Sequence, residues 1–338
     1  MASNPVRTIV GACFVLVITV IGLEVAVRVL GYSERHIYDP IYTSFDRTDD
    51  IPYIHKANLT GARARGLAVI NTDSLGLRTM IAGTTYGAKQ TKEYRIAIVG
   101  DSWTFGEGVT RTEDTFAQVL EDTLNRRQQT MTVKVFNYGA SAYSVKEMAA
   151  TLQYRMLDIQ PDLVVMAIIP SDFNLDRTPT IDDSGYLVDQ NLSHFIPSAS
   201  MVRRALRQIH LLYVLRDIGL RWFFKPLDIT EVLSRGDIPE SYGYVRQFKE
   251  IAEQRGIPYV VVLLPIMQHT WGGMTDRLLR DTVTHLDMSF LLQEFTEEQF
   301  MASRFDPHPS AAVHRLIGKA LAEYVMQNQL KKLSGPTY

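Results

Sequence analysis

The chain has 338 residues, a formal net charge of -2, 21% charged residues and 46% hydrophobic residues. This is an ordinary globular composition, and the near-neutral charge gives no support for a nucleic-acid partner. The one cysteine, Cys13, excludes a disulfide within the chain and any cysteine-based zinc cluster. The length fits one large domain with additions, or two modest domains.

The first thirty residues differ from the rest, because residues 8–23 carry no charge and are rich in Val, Ile and Leu. Continued to Leu30, a helix here would reach roughly 34 Å, which is enough to cross a membrane. Glu24 and Arg28 share a helix face near its end, where they can pair. We therefore predict a single-pass membrane anchor through residues 8–30, in a domain of residues 1–31.

Two other interpretations of this segment stay open. A cleaved signal peptide lacks a convincing small-residue cleavage site after the apolar run. A lipoprotein signal ending at Cys13 would put the apolar run after the cysteine rather than before it. The flanking charges do not set the orientation, because Arg7 lies on one side and Arg28 and Arg35 lie toward the other.

Beyond the anchor, residues 32–90 contain only short apolar stretches, which predicts a connecting segment packed on a domain. Residues 91–331 then alternate apolar runs with helical patterns. The predicted strands are 95–100, 133–136, 162–169 and 259–264. The predicted helices are 113–127 capped by Thr112, one opened by the Ser144–Glu147 capping box, 242–255 ending at Gly256, and 310–331. This alternation predicts an α/β fold with a parallel sheet covered on both faces.

Residues 174–241 interrupt the alternation and are predicted to be an insertion that carries its own helix, 201–225. Two interpretations of this helix stay open. It could touch an anionic membrane surface, or it could pack on the domain and leave a basic face in solvent. The basic residues concerned are Arg203, Arg204, Arg207, Arg216, Arg221 and Lys225.

Ser102 follows the first predicted strand in the run Gly100-Asp101-Ser102. Reactive groups of open α/β sheets collect at the carboxyl ends of strands, and Gly100 allows the tight turn that would leave the serine accessible. A three-residue motif alone is a weak signal. Its position between a strand and a helix makes Ser102 a candidate nucleophile.

Asp306 and His308 lie near the carboxyl terminus in the run Asp306-Pro307-His308-Pro309. The prolines favour extended backbone, in which residues two apart project to the same side. Asp306 could then accept a hydrogen bond from Nδ1 of His308 and leave Nε2 to face a serine. The alternative is that both residues only decorate a turn before the last helix.

These runs resemble the conserved blocks of the SGNH/GDSL hydrolases, and in particular their bacterial, membrane-anchored members. Gly100-Asp101-Ser102, Gly139 and the Asp306–Pro309 run carry the resemblance, which covers residues 66–173 and 242–322. It implies a flavodoxin-like three-layer sandwich and a catalytic triad of Ser102, His308 and Asp306. It also implies an oxyanion hole that uses the N–H groups of Ser102 and Gly139, although Gly139 alone would pass for an ordinary turn glycine.

The sequence departs from the family pattern where the family has an asparagine as the third oxyanion donor. Ser171 stands at that place, after the third predicted strand, and Asn174 follows three residues later as a possible substitute. A hydroxyl is shorter than an amide and donates only one hydrogen bond. The third donor is therefore an open question.

The resemblance predicts a serine-dependent acyl-ester hydrolase of the cell envelope that needs no cofactor or metal and acts on an acylated carbohydrate or lipid through an acyl-Ser102 intermediate. The expected location is a bacterial inner membrane, with the catalytic domain outside the cytoplasm. A carbohydrate O-acyltransferase that uses the same triad is the nearest alternative. A non-catalytic envelope polysaccharide assembly or binding protein is the alternative of another class. The sequence leaves the oligomeric state open.

Overall fold

The computed structural model describes residues 5–128, 130–177, 179–188, 202, 205–223, 238–267, 271–293 and 295–330. The helices are α1 Pro5–Val29, α2 Ser102–Phe105, α3 Phe116–Arg127, α4 Val145–Tyr154, α5 His210–Phe223, α6 Gly243–Gln254, α7 Gly273–Arg280, α8 Glu297–Phe300 and α9 Ala311–Val325. The strands are β1 Tyr42–Thr43, β2 Ile54–His55, β3 Ala62–Arg63, β4 Val69–Thr72, β5 Arg78–Thr79, β6 Glu93–Val99, β7 Thr132–Asn137, β8 Leu163–Ile168, β9 Thr180–Ile181, β10 Leu187–Val188, β11 Tyr259–Leu263, β12 His285–Asp287, β13 Met301–Ser303 and β14 Asp306–Pro309.

The central sheet has five strands in the order β12-β11-β8-β6-β7, and every neighbouring pair is parallel. Numbered along the chain, these strands have the flavodoxin-like order 2-1-3-4-5, read from β7 to β12. The strand order reverses between β6 and β8, and ligands of such sheets bind at the carboxyl ends of the strands beside this reversal. The predicted parallel sheet is confirmed, and β12 is a fifth strand that the sequence analysis missed.

The sheet is covered on both faces, so its strands are continuous apolar runs rather than alternating ones. Along β6, Ala97 and Val99 join one buried cluster, while Ile96 and Ile98 join the cluster on the opposite face. Helices α4 and α6 supply the first cluster, and α3 and α9 supply the second. The predicted three-layer α/β sandwich is confirmed.

Helix boundaries differ from the predicted ones at two places. Thr112 opens a single 3-10 turn, and the side chain of Thr115 caps α3 by accepting the N–H of Gln118. The final helix was predicted to continue to Lys331, but α9 ends at Val325 and a short π-helix follows. The Ser144–Glu147 capping box at the start of α4 is confirmed.

Residues 32–90 pack against the sheet rather than forming a core of their own. Small antiparallel pairs, β1 with β2 and β3-β4-β5, run through this segment. Its apolar side chains enter the same buried cluster as β6 and β8. The most buried of these are Ile41, Tyr42, Ile51, Tyr53 and Ile70, each at most 1% exposed. The segment therefore forms part of the walls around the carboxyl end of the sheet.

Parts of the predicted insertion lie outside the described residues. Those are residues 178, 189–201, 203–204 and 224–237, which include the predicted helix residues Met201, Arg203, Arg204 and Lys225, together with the side chains of residues 220–223. Within the described residues the insertion contributes the β9–β10 hairpin and α5.

Helix α1 confirms the predicted apolar helix at the amino terminus. Its span Val6–Val29 has 24 residues and a mean hydropathy of 2.6 in its most apolar stretch, and its side chains are exposed apart from half-buried Glu24 and buried Val27. By length and composition it can cross a membrane, and a signal sequence shares both properties.

Candidate active site

Ser102 is the first residue of α2, at the carboxyl end of β6. Asp101 caps this short helix, because its Oδ1 accepts the N–H of Trp103 at 2.9 Å. Gly100 makes the turn possible, since a Cβ there would lie 2.0 Å from Thr104 Oγ1 and 2.6 Å from the carbonyl oxygen of Ala167. The backbone therefore places Ser102 at the edge of the sheet where parallel strands collect reactive groups.

The structure brings Ser102, His308 and Asp306 into one hydrogen-bonded series. His308 Nε2 lies 3.0 Å from Ser102 Oγ, and His308 Nδ1 lies 2.5 Å from Asp306 Oδ1. Asp306 and His308 belong to β14, so their side chains project to the same side, as the sequence predicted. In the neutral imidazole, Nδ1–H donates to Asp306 and Nε2 accepts from the serine hydroxyl, which is the arrangement a general base needs.

The pKa of His308 is raised above its ordinary value of 6.5. Burial alone would lower this pKa, but the hydrogen bond to Asp306 and the charges of Glu107 and Asp306 outweigh it. For Asp306, burial would raise the pKa, but the bond to His308 outweighs it and the net pKa is lowered. The pair therefore favours a charged carboxylate beside an imidazole that holds its proton to higher pH than usual.

A second carboxylate, that of Glu107, faces the same imidazole nitrogen. Glu107 Oε2 lies 3.2 Å from His308 Nε2, and the side chain is 1% exposed. Its other oxygen accepts a hydrogen bond from Ser141 Oγ. The hydroxyl of Tyr42 lies 2.6 Å from Ser141 Oγ and extends this hydrogen-bonded series. Arg65 Nε lies 3.9 Å from Oε2. Glu107 is therefore fixed in place as a second acceptor for the proton that Nε2 carries when His308 is in its imidazolium form.

The loop that carries Glu107 is built for close approach to β14. Gly106 and Gly108 have φ of +87° and +79°, in the left-handed region that favours glycine. A Cβ on Gly108 would lie 2.5 Å from Ala302 Cβ and 3.3 Å from His308 Cβ. The guanidinium of Arg78 also holds the loop by donating to the carbonyl oxygens of Gly106 and Val109.

We expect activity to rise with pH as His308 loses its proton, with a midpoint above about 6.5. Glu107→Gln removes a negative charge that stabilises the imidazolium, so the midpoint should move to lower pH, by about one unit. The measurement is the pH profile of kcat/KM for a neutral ester.

Glu323→Gln is the matched control, because Glu323 pairs with Arg127 on an exposed surface. It should leave the midpoint unchanged. A Glu107→Gln profile that coincides with that of the parent chain, or moves to higher pH, would contradict the role of Glu107.

The N–H of Gly139, which the sequence analysis makes an oxyanion donor, has an acceptor within the chain, and its role in the oxyanion hole stays a prediction. Its N–H donates to Asn137 Oδ1 at 2.9 Å, so an oxyanion would have to compete with this acceptor. A Cβ at Gly139 would lie 2.4 Å from the backbone nitrogen of Phe105, so the residue must be glycine for the end of β7 to pack on α2. Asn137 Nδ2 reinforces this packing by donating to the carbonyl oxygen of Thr104 at 2.7 Å. Gly139 positions the helix that carries Ser102.

Ser171 and Asn174 lie just past β8, the strand beside β6 at the reversal of strand order. They belong to one tight turn, in which the N–H of Asn174 donates to the carbonyl oxygen of Ser171 at 3.1 Å. Asn174 Oδ1 accepts the N–H of Asp176 at 3.1 Å, which orients the side-chain amide. The roles of both residues as oxyanion donors stay predictions.

Ala142 is a candidate donor that the sequence analysis missed. It follows β7 and has a φ of +60°, which is unusual for a residue with a side chain. Its N–H has no hydrogen-bond acceptor among the described residues, whereas its neighbour Ser141 binds Glu107. Alanine carries no sequence signal for such a conformation. Glu107, by contrast, is marked by its two flanking glycines.

His314 and Trp103, which follow His308 and Ser102 in the sequence, contact neighbouring aromatic residues. His314 is fully buried, and its Nδ1 accepts the N–H of Phe116 at 3.2 Å; burial lowers its pKa to about 3. It therefore stays neutral and caps the start of α3. Trp103 packs against Phe300 of α8, with ring centroids 5.4 Å apart. Among the described residues, no group of three or more His, Cys, Asp or Glu side chains could hold a metal ion.

No protein-family model matches the chain, and no curated protein matches it. Several solved structures are similar. One, described as a lipolytic protein of the G-D-S-L family from Desulfitobacterium hafniense, has a TM-score of 0.40 and 14% identity over 68% of this chain and 98% of that chain. A lipase/acylhydrolase from Enterococcus faecalis has a TM-score of 0.38 and 13% identity, and the match covers 69% of this chain and 96% of that chain. A two-domain esterase active on acetylated mannans has a TM-score of 0.41 and 15% identity over 73% of this chain, which spans about half of that protein's length (52%).

Proposed function

We propose that the chain is a serine esterase of the SGNH/GDSL type, anchored by α1 and acting on an acylated carbohydrate or lipid at the cell envelope. The observation that supports the proposal is the series Ser102–His308–Asp306, with contacts of 3.0 and 2.5 Å. Ser102 and His308 are 206 residues apart in the sequence, and the fold brings them together at the edge where α/β sheets bind ligands.

The geometry supports a two-step acyl transfer. Ser102 Oγ attacks the ester carbonyl carbon while His308 Nε2 takes the hydroxyl proton, and the same nitrogen then gives that proton to the departing alcohol. Water repeats the sequence on acyl-Ser102 and releases the carboxylic acid. Asp306 keeps Nδ1 protonated throughout, and Glu107 offers the transient Nε2 proton a second acceptor.

The developing oxyanion needs hydrogen-bond donors near Ser102. We propose the backbone N–H groups of Ser102 and Ala142 as two of them, with Ala142 in place of Gly139. Ser171 or Asn174 would supply the third. Removing one donor from an oxyanion hole typically lowers kcat by a factor of about 10²–10³.

Two variants show whether Ser171 or Asn174 is the third oxyanion donor. If the Ser171 hydroxyl is too short, Ser171→Asn should raise kcat, because the longer amide reaches the oxyanion. If Asn174 already donates, Asn174→Ala should lower kcat by about 10² and Ser171→Asn should not help. The measurement is kcat for a saturating ester. Changes below about threefold in both variants would mean that neither side chain is an oxyanion donor.

Product analysis tests the proposed reaction. The purified full chain in detergent should release acetate from an acetylated oligosaccharide and regenerate free enzyme. Adding a sugar acceptor distinguishes hydrolysis from O-acyl transfer, because a transferase would move the acetyl group to the sugar in preference to water. No release and no transfer would favour a non-catalytic assembly or binding protein on the same fold.

The location of the domain gives a separate prediction. A reporter enzyme fused after Tyr338 should be active when the reporter requires an extracytoplasmic compartment, because the proposed substrate lies in the envelope. The measurement is paired fusions to a periplasm-dependent and a cytoplasm-dependent reporter. Activity of the cytoplasmic reporter alone would contradict the proposed orientation.

A further inference from the structure

Helix α5 is oriented the opposite way to an ordinary surface helix. Its polar side chains face the protein: His210 Nδ1 lies 2.5 Å from Ser33 Oγ, and Asp217 Oδ2 accepts a hydrogen bond from Tyr32 at 3.0 Å. Three of its aliphatic side chains face outward, whereas Leu211 and Val214 are half-buried. Leu212, Leu215 and Ile218 are 36%, 55% and 49% exposed. An amphipathic helix of a soluble domain buries its apolar side, so this outward face requires an apolar environment.

The amino end of α5 is fixed to the end of α1 through Glu24. The two carboxylate oxygens accept the N–H groups of His210 and Leu211 at 2.9 and 2.7 Å. These are helix N–H groups with no acceptor inside the helix, and a negative charge is favourable beside them. Arg28 adds a contact by donating to the carbonyl oxygen of Gln208 at 2.6 Å. Helix α5 therefore starts where the apolar helix α1 ends.

Exposed aliphatic side chains also lie at the end of α1, close in sequence to the residues that hold α5. Val29 and Leu30, at the end of α1, are 81% and 62% exposed. A helix that spans a membrane has lipid around it, and an adjoining helix with an outward apolar face lies in the interface of the same bilayer. Lipid is the occupant that this attachment identifies, because an α1 that spans the membrane would place α5 at the membrane surface.

The same junction contacts the residue that precedes β14, the strand that carries Asp306 and His308 of the candidate triad. Tyr32 lies three residues beyond the end of α1, and its ring packs against Phe305, with centroids 5.3 Å apart. Phe305 directly precedes Asp306. The anchor, α5 and the catalytic strand thus meet at Tyr32, which holds the candidate active site beside the membrane surface.

We propose that α5 lies in the bilayer interface through Leu212, Leu215 and Ile218, and that the enzyme acts on an ester carried by a lipid of the same membrane. The substrate class rests on the proposed esterase function. The interfacial position of α5 rests on its outward apolar face, on its attachment to α1 and on the proposed membrane anchoring by α1. A lipid-borne ester reaches a site held at the surface without leaving its leaflet, whereas a soluble ester gains nothing from this placement.

The position of α5 is tested first, on the full chain in nanodiscs of phosphatidylethanolamine and phosphatidylglycerol. In a Cys13→Ser background, Leu215→Cys is labelled with a fluorophore, and nitroxide-bearing lipids are added as quenchers. We expect strong quenching at position 215. Lys92→Cys is the control, because Lys92 is exposed next to the amino end of β6, roughly 23 Å along the strand from the active-site edge. Equal, weak quenching at both positions would overturn the interfacial position.

The substrate class is tested with two probes that carry the same acetyl ester, one on a glycerolipid in the nanodisc and one on p-nitrophenol in solution. The triple variant Leu212→Gln, Leu215→Gln, Ile218→Gln should lower the rate on the lipid probe by about tenfold or more, because the apolar contact is lost. It should leave the rate on the soluble probe within about twofold. Leu279→Gln, at a side chain that is 61% exposed on α7, is the matched control and should change neither rate.

The outcomes separate the two proposals. Equal effects of the triple variant on both probes, or none on either, would overturn the lipid-borne substrate while leaving the esterase proposal intact. Failure of the unmodified chain to hydrolyse either probe would overturn the esterase proposal and, with it, the substrate class. The quenching result would then still decide where α5 lies.

Discussion

Replacing Ser102 with Ala is expected to lower kcat for ester hydrolysis by a factor on the order of 10⁶. The reason is that, among the residues that the structure describes, only the hydroxyl of Ser102 hydrogen-bonds to His308 Nε2, at 3.0 Å. The fold should survive, because Ser102 is at the start of a short helix whose capping bonds come from Asp101. The measurement is the rate of release of a chromogenic alcohol, together with thermal unfolding of both proteins.

Ser289→Ala is the matched control, since Ser289 hydrogen-bonds Asp287 at the end of β12 and contacts none of the triad residues. It should retain full activity. Activity of Ser102→Ala within about tenfold of the parent chain would show that Ser102 is not the nucleophile.

Asp306→Asn is expected to lower kcat by about 10⁴ with little change in the fold. An amide N–H directed at Nδ1 would turn this nitrogen into an acceptor, so the proton would move to Nε2 and the imidazole could no longer take a proton from Ser102. Loss of the carboxylate also removes a charge that stabilises the imidazolium. The measurement is kcat across the pH range, because the defect should persist at high pH.

Asp114→Asn serves as the control for this change, because Asp114 pairs with Arg315 on the surface of α9. Its kcat should match that of the parent chain. A full recovery of Asp306→Asn at high pH would mean that Asp306 only raises the pKa of His308 and does not fix its tautomer.

The central sheet could be predicted because its strands are buried on both faces. Burial on both sides requires an unbroken apolar run, and β8 and β11 are such runs in the sequence. Strand β12 escaped prediction because His285–Asp287 is short and partly polar, and it is held in place by pairing with β11 rather than by its own composition. Tertiary contacts decide such edge strands.

The candidate triad could also be predicted, because each residue is marked by its local backbone. Ser102 has a glycine turn after a strand, and Asp306 and His308 have prolines that favour extended backbone. The surroundings of Nε2 could not be predicted in the same way. Glu107 reaches His308 only through the approach of two loops that are far apart in sequence, and Gly139 is set by its packing on α2.

The orientation of α5 could not be predicted from the sequence, because it too depends on contacts with residues far away in the chain. Its pattern shows that it is amphipathic but not which side meets the protein. Hydrogen bonds from Tyr32 and Ser33 hold the polar side inward, and they come from a segment nearly two hundred residues earlier. The basic residues alone had suggested a solvated face as one interpretation.

The most direct test of the central claim is labelling of the nucleophile. The full chain is treated with a fluorophosphonate, which reacts with serines activated by a neighbouring base, and is then digested and analysed by mass spectrometry. The account predicts one adduct, on the peptide that contains Ser102, with labelling lost in Ser102→Ala and in His308→Ala. Labelling of another residue, or none in the unmodified chain at a pH where His308 is neutral, would contradict it.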